Sequence, residues 1–218
     1  MRFQFLQSYL IIIACLFCLV GCVEINPSDV KIGNQYWMSK NLNSTTFKNG
    51  DPIPQAISTE AWNYAAKKKL PVWCYYENNI ENGEKFGKLY NWYAVNDPRG
   101  LGPKGYHVPS DHEWSILYKF LGYNEESGNK LKSISAWKNN GSGSNSSKFD
   151  GLPGGYRVNS NGAFVYLFYN GNFWSSTSHD KTNAWGRGLV DYNGNFTRFY
   201  DNKFFGFSVR CIKNAGYF

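Results

Sequence analysis

The chain has 218 residues, 18% of them aromatic and 18% charged, and 23 Lys and Arg against 16 Asp and Glu give a formal charge of +7. The positive charges are scattered rather than gathered into a stripe, which argues against a nucleic-acid binder and leaves only loose attraction to anionic polymers. The length suits one domain with a sizeable core that needs no metal or staple.

Arg2 is the only charge before Cys22, and Leu10 to Val20 is an uninterrupted apolar run. About 20 apolar residues are needed to cross roughly 30 Å of hydrocarbon, so this run reads as the core of a secretory signal and not as a span. Leu19-Val20-Gly21-Cys22 resembles a bacterial lipobox. The expected organisation is a signal peptide at 1–21, a tether at 22–28 lipidated on Cys22, one domain at 29–214 and a tail at 215–218. One acyl chain holds a membrane only marginally, so the mature Cys22 should carry several. The expected location is the outer membrane or cell surface, with the membrane as a partner through that lipid.

Val30 to Met38 alternates around Gly33-Asn34, the pattern of a small hairpin, and Asn49-Gly50, Pro52 and Pro54 mark a loop. Ser58 or Thr59 caps an expected helix through Trp62, Ala65 and Ala66, ending at Lys67 to Lys69 and Pro71. Val72 to Tyr76 reads as a strand and Asn78 to Glu84 as a polar turn region. Leu89, Trp92 and Tyr93 stand at helical spacing, so Gly87 to Val95 is expected to be helical. The firmest local signal is Ser110 with Glu113, a capping box, followed by Trp114, Leu117, Tyr118 and Leu121 on one face before Gly122. Asn129 to Trp137 is short helix or loop, and Asn139 to Ser147 is a Gly/Ser/Asn stretch expected to be exposed because it cannot pack.

From Phe149 onward the pattern changes to strands. Asn161-Gly162, Asn170-Gly171 and Asn193-Gly194 each offer the backbone that a two-residue hairpin turn requires. Tyr-Asn-Gly-Asn-Phe occurs twice, at 169–173 and 192–196, which reads as convergence on one turn chemistry because the flanks do not match. With the leader removed, Cys74 and Cys211 are the only side-chain thiols outside the lipidation site. In an oxidising compartment a disulfide between them and two separate buried thiols are equally open readings.

Six ordered motifs carry a resemblance: Ile32-Gly33-Asn34-Gln35-Tyr36-Trp37-Met38, Gly87-Lys88-Leu89-Tyr90-Asn91-Trp92-Tyr93-Ala94-Val95, Gly105-Tyr106-His107-Val108-Pro109-Ser110, Gly151-Leu152-Pro153-Gly154-Gly155-Tyr156-Arg157, Phe173-Trp174-Ser175-Ser176-Thr177 and Gly206-Phe207-Ser208-Val209-Arg210-Cys211. Together they resemble the Fibrobacter succinogenes major paralogous domain of surface lipoproteins of Bacteroidetes and Fibrobacteres, across roughly Asp29 to Asn214. A more distant similarity, to the formylglycine-generating enzymes, implies an α+β, C-type-lectin-like fold. Two main helices would lie against small twisted antiparallel sheets, with a hairpin-rich second half, much irregular loop and both termini in one sheet. Relatives usually have a cysteine where this chain has Gly102. If that cysteine pairs with the position of Cys211, the bridge is lost here, leaving Cys211 reduced or re-paired with Cys74.

Candidate chemistry is thin. His107 and His112 do not share a helix face and His179 sits in a polar loop, so no metal is expected. Asp111 and Glu113 read as acids complementing a helix N-terminus, and Gly151 to Gly155 lacks the Lys-Ser/Thr of a phosphate loop. The enzyme's closely spaced cysteines and the calcium motifs of true C-type lectins are missing, so no catalytic residue and no cofactor is expected. The leading expectation is a non-catalytic binding or adhesion module for a glycan or a surface protein, with Tyr169, Trp185 and Tyr192 as ligand-binding candidates; each is also readable as a packing residue. A scaffold component of a surface complex is the first alternative and a polysaccharide-acting enzyme the second.

Overall fold

The computed structural model describes residues 29–158 and 161–216, so the leader, the lipidation site Cys22 and the tether lie outside the described residues. The expected first hairpin forms from β1 (Asp29–Ile32) and β2 (Gln35–Met38), turning on Gly33 at φ 61°. α1 (Thr59–Lys68) begins where the Ser58 side chain accepts the Ala61 N–H, buries Trp62, Ala65 and Ala66, and ends at Lys69 in the left-handed region.

The next stretch corrects two expectations. After β3 (Trp73–Cys74) and a short 3-10 turn, the segment read as polar turn contains α2 (Ile80–Phe86), because Asn79 caps it and Gly83 lets the Tyr75 ring lie against it. The segment read as helix is mostly not one. Leu89 and Tyr90 form β4 (Leu89–Tyr90), paired with Trp73 and Cys74, and only α3 (Trp92–Val95) is helical. Asn91 breaks the run: its side chain accepts from Ala94 N and Val72 N and donates to Leu70 O, which suits a cap better than a helix interior.

β5 (Tyr106–His107) leads into α4 (Asp111–Phe120), where the capping box is complete: the Ser110 hydroxyl accepts from Glu113 N and the Glu113 carboxylate accepts from Ser110 N. α5 (Ser127–Leu131) follows, then β6 (Gly154–Arg157), β7 (Phe164–Leu167), β8 (Asn170–Ser178), β9 (Asn183–Val190), β10 (Thr197–Asn202) and β11 (Ile212–Lys213). The first hairpin and the last strand share a sheet of order β1-β2-β11-β5, and a second sheet runs β10-β9-β8-β6-β7. The protein is therefore α+β, with two ten-residue helices, α1 and α4, and a strand-rich second half. Between named strands, the pairing of β6 with β8 is parallel.

None of the three Asn-Gly pairs makes the expected two-residue turn: Gly162, at φ 65°, lies between β6 and β7, but Arg157 and Phe164, which bound that connection, are too far apart in sequence for one. Asn170-Gly171 instead opens β8, where a side chain on Gly171 would stand 2.7 Å from Leu152 O, so the glycine permits a close crossing of chains. Asn193-Gly194 lies in the loop between β9 and β10, too long for a two-residue turn. The two Tyr-Asn-Gly-Asn-Phe segments thus occupy unlike places.

Much of the aromatic content is core. Trp37 and Trp114 are fully buried with ring centroids 4.6 Å apart, and Phe149, Phe173 and Phe196 lie within 6.0 Å of Trp114. Buried cations tie the layers together. Arg210 is enclosed and binds Asn41, Met38 O and Asp150 O. Arg157 lies between the rings of Trp62 and Phe164 and donates to Ala56 O and Gly162 O.

Of the two open readings of the thiols, the structure has the separate one: Cys74 and Cys211 are free, buried and in different core clusters, and burial pushes each thiol pKa up to about 12. Gly102 faces Cys211, and a Cβ on it would stand 2.9 Å from the sulfur. A Gly102→Cys variant purified under oxidising conditions should therefore bridge to Cys211, leaving Cys74 as the only thiol in the described region that titrates after denaturation. Two further reactive thiols would contradict this. Since Gly102 has φ 105°, the bridge should stabilise by less than the usual 2–4 kcal/mol.

His107 joins β5, α4 and the C-terminal segment, with Nε2 2.8 Å from Glu113 and Nδ1 2.7 Å from Asn214. The Glu113 carboxylate raises the His107 pKa above its ordinary 6.5. Burial alone would raise the Glu113 pKa, but His107 and Ser110 outweigh it and hold it below 4.5. The His107 contribution is thus complete below pH 6.5 and is lost as pH rises through its folded value; that of Glu113 is complete above 4.5 and is lost on acidification. His107→Gln should cost about 1 kcal/mol in urea unfolding at pH 6 and clearly less at pH 9. Equal losses at both pH values would refute the pairing.

Candidate functional site

Among the described surfaces, the place where amide side chains and an exposed ring converge is the loop joining β9 to β10. Three neighbours hold that loop. Gly128 of α5 donates its N–H to Gly194 O at 2.7 Å, and any side chain on Gly128 would meet Asn195 O at 2.3 Å. The buried Lys132 ammonium donates to Val190 O at 3.2 Å and Asn193 O at 2.9 Å, over the Trp137 ring; burial lowers its pKa. Asn139 donates to Asp191 at 2.6 Å, and Gly141 is pressed so close to Asp191 that a Cβ would lie 2.4 Å from its carbonyl oxygen.

The last contact corrects the expectation that Asn139 to Ser147 cannot pack. Gly141 is buried, and Asn139 and Asn140 take left-handed backbones that turn the segment onto the loop. The outcome is an open hollow of about 280 Å³ lined by Asn129, Lys132, Asn139, Asn140, Asp191 and Tyr192 among others. Tyr192 is 77% exposed. Asn140 and Ser142 make no side-chain hydrogen bond with the described residues, so their polar groups are available. An Asn-rich wall beside an exposed ring can bond hydroxyls and stack an apolar face.

The three sequence-selected residues do not form one site. Tyr192 lines the hollow. Tyr169 is next to it through the backbone, its carbonyl accepting from Asp191 N at 3.0 Å, and its side chain is 39% exposed but is not part of the lining. Trp185 stands further along β9 with its ring face covered by the Arg198 guanidinium at 3.4 Å and its edges against His179 and Tyr200. Arg198 is held there by Asp111 at 2.8 Å, so Trp185 acts in packing and presents no free stacking face on that side. Sequence reading missed Asn129, Lys132, Asn139, Asn140 and Asp191. The adjacent asparagines at 139 and 140 were the available signal, since Asn tolerates left-handed backbone.

The other titratable candidates have structural work. Asp111 pairs with buried Arg187 at 2.9 Å as well as with Arg198, and Glu113 closes the cap and holds His107. His179 stacks on Tyr200 at 4.0 Å and pairs with Asp180, while His112 is exposed. Among the described residues no group of three or more His, Cys, Asp or Glu side chains is placed to hold a metal ion, and no helix is long and apolar enough to cross a membrane.

Comparison with known proteins gives one match. No curated protein and no solved structure matches the chain. Residues 30–213, nearly all of the described fold and all six motifs, match the model of the Fibrobacter succinogenes major domain. The chain therefore belongs to the Fibrobacter succinogenes major domain family.

Proposed function

We propose that this protein is a non-catalytic binding or adhesion lipoprotein, anchored through lipid on Cys22 at the outer membrane or cell surface, that recognises a polysaccharide without calcium at the Tyr192 hollow. The observation that carries the reading is the placement of an exposed tyrosine ring at an amide-lined hollow whose walls are fixed by backbone contacts. A sugar offers an apolar C–H face to such a ring and hydroxyls to such amides, and a preformed site loses little entropy on binding. Family membership fits a surface protein, and a lipid on Cys22 would supply attachment where no helix of the described residues is long and apolar enough to cross a membrane. The shared sheet of the first hairpin and last strand, with two main helices, is in keeping with a C-type-lectin-like architecture.

Purified protein should bind at least one polysaccharide on an array, with EDTA making no difference. Tyr192→Ala should weaken that binding about tenfold, or about 1.4 kcal/mol, whereas Trp185→Ala should act on stability more than on affinity. Absence of binding to any glycan, or binding indifferent to Tyr192→Ala, would remove the carbohydrate reading.

A further inference from the structure

A second surface lies at the other end of β10. Phe199 and Asp201 stand opposite Gly186 and Ala184 of β9, on the face that packs into the core. Phe199 rests over Gly186 and Gly188, where a Cβ would lie 2.8 Å and 3.3 Å from its ring, and meets buried Phe207 edge-on at 5.6 Å. Phe207 also contacts Phe205 at 5.5 Å and Tyr156 at 5.6 Å, and Tyr156 stacks on Tyr166 at 5.7 Å. Of these rings only Phe207 is buried. Tyr166 is 55% exposed and holds φ 62°, a conformation costly for a bulky side chain and concentrated at ligand-binding places.

Among the described residues Asp201 has no cation partner. One carboxylate oxygen accepts the Asn202 N–H at 2.9 Å, and no side chain of the described residues neutralises it. The neighbouring Lys203 is committed elsewhere: its ammonium donates to Ser178 Oγ at 2.8 Å and Asp180 O at 2.6 Å, over the Trp92 ring. Arg198 points to the opposite face and is held by Asp111. Burial raises the Asp201 pKa, and burial also raises that of Tyr156, with smaller contributions from Tyr166 and from the Asp201 charge.

We propose that Asp201 with Tyr156, Tyr166, Phe199 and Phe205 forms a binding site for an alkylammonium group, the chemistry of a lysine side chain presented by a partner protein. The ring faces attract a cation and cover its methylene stem, while the carboxylate supplies the opposite charge; a neutral sugar would leave that charge uncompensated. The site is separate from the Tyr192 hollow and stands whether or not the hollow binds glycans.

The test is an NMR titration of the purified protein with Nα-acetyl-lysine methylamide and with the same compound acetylated on the side-chain nitrogen, which keeps the stem and removes the charge. The charged probe should shift resonances of Tyr156, Phe199 and Asp201 saturably, and the acetylated one should bind at least about tenfold more weakly. Asp201→Asn, nearly isosteric, should bring the charged probe down to the acetylated one's affinity while leaving glycan binding unchanged. Equal binding of the two probes, or shifts confined to other surfaces, would overturn the proposal, and this comparison on the unmodified protein requires no variant.

Discussion

Arg210 brings a guanidinium into the interior, fully enclosed, with no carboxylate of the described residues paired to it. Its donors are met by oxygens from two separated parts of the chain: Met38 O at 3.1 Å and the Asn41 side chain at 2.7 Å from one, and the carbonyls of Phe149 and Asp150 from the other. The Phe149 ring lies flat enough to receive the cation at 4.3 Å from its centroid. Burial lowers the Arg210 pKa, and taking such a charge from water costs several kcal/mol unless its donors are satisfied. The arrangement therefore constrains the chain globally, since the end of β2, the segment before β6 and the closing segment must meet at one point. Adjacent backbone bonds follow the same path, Met38 N to Cys211 O at 3.0 Å and Leu42 N to Val209 O at 2.7 Å.

From that junction the rest of the structure is placed. Asn41, held by Arg210, donates to Phe86 O at the end of α2. Phe149 contributes to the aromatic core around Trp114, which sets α4 against β8. β8 carries β9 and β10, and the loop between those two strands is then pressed against α5 and the Asn139–Gly141 turn. Both surfaces with unspent polar groups, the Tyr192 hollow and the Asp201 ring cluster, lie at opposite ends of β10 on this frame. Buried Lys132 and Lys203 and exposed Arg198 are each engaged by protein oxygens, so these cations shape the two surfaces, and the groups left facing outward there are amides, rings and one carboxylate.

The sequence was most legible where one local rule acted alone. The Ser110–Glu113 box, the Ser58 cap and the Gly33 turn each depend on residues within one turn of one another, and each is where it was expected. It was least legible where a distant contact overrode a local preference. Asn170-Gly171 has turn chemistry, yet Gly171 is needed for the passage of Leu152, a constraint that no window around residue 170 contains. Leu89-Tyr90 has helical spacing with Trp92 and Tyr93, but its pairing with Trp73-Cys74 decides its conformation. The hollow was half legible for the same reason. Tyr192 stood out beside its Asn-Gly pair, whereas Asn139 and Asp191 are separated by 52 positions and only the fold makes them neighbours. Trp185 has a ring that the sequence marks as a stacking candidate, but the Arg198 that covers it is bound to Asp111 from a helix far upstream.

The dependence of the preformed surfaces on one buried junction is tested most directly at Arg210. Replacement by Lys keeps the charge but not the planar fork that spans four oxygens. Equilibrium unfolding in urea should show a loss of about 3 kcal/mol or more, with exposed Lys40→Ala changing stability by less than about 0.5 kcal/mol. A loss for Arg210→Lys no larger than that of the surface control would contradict the central place given to the junction.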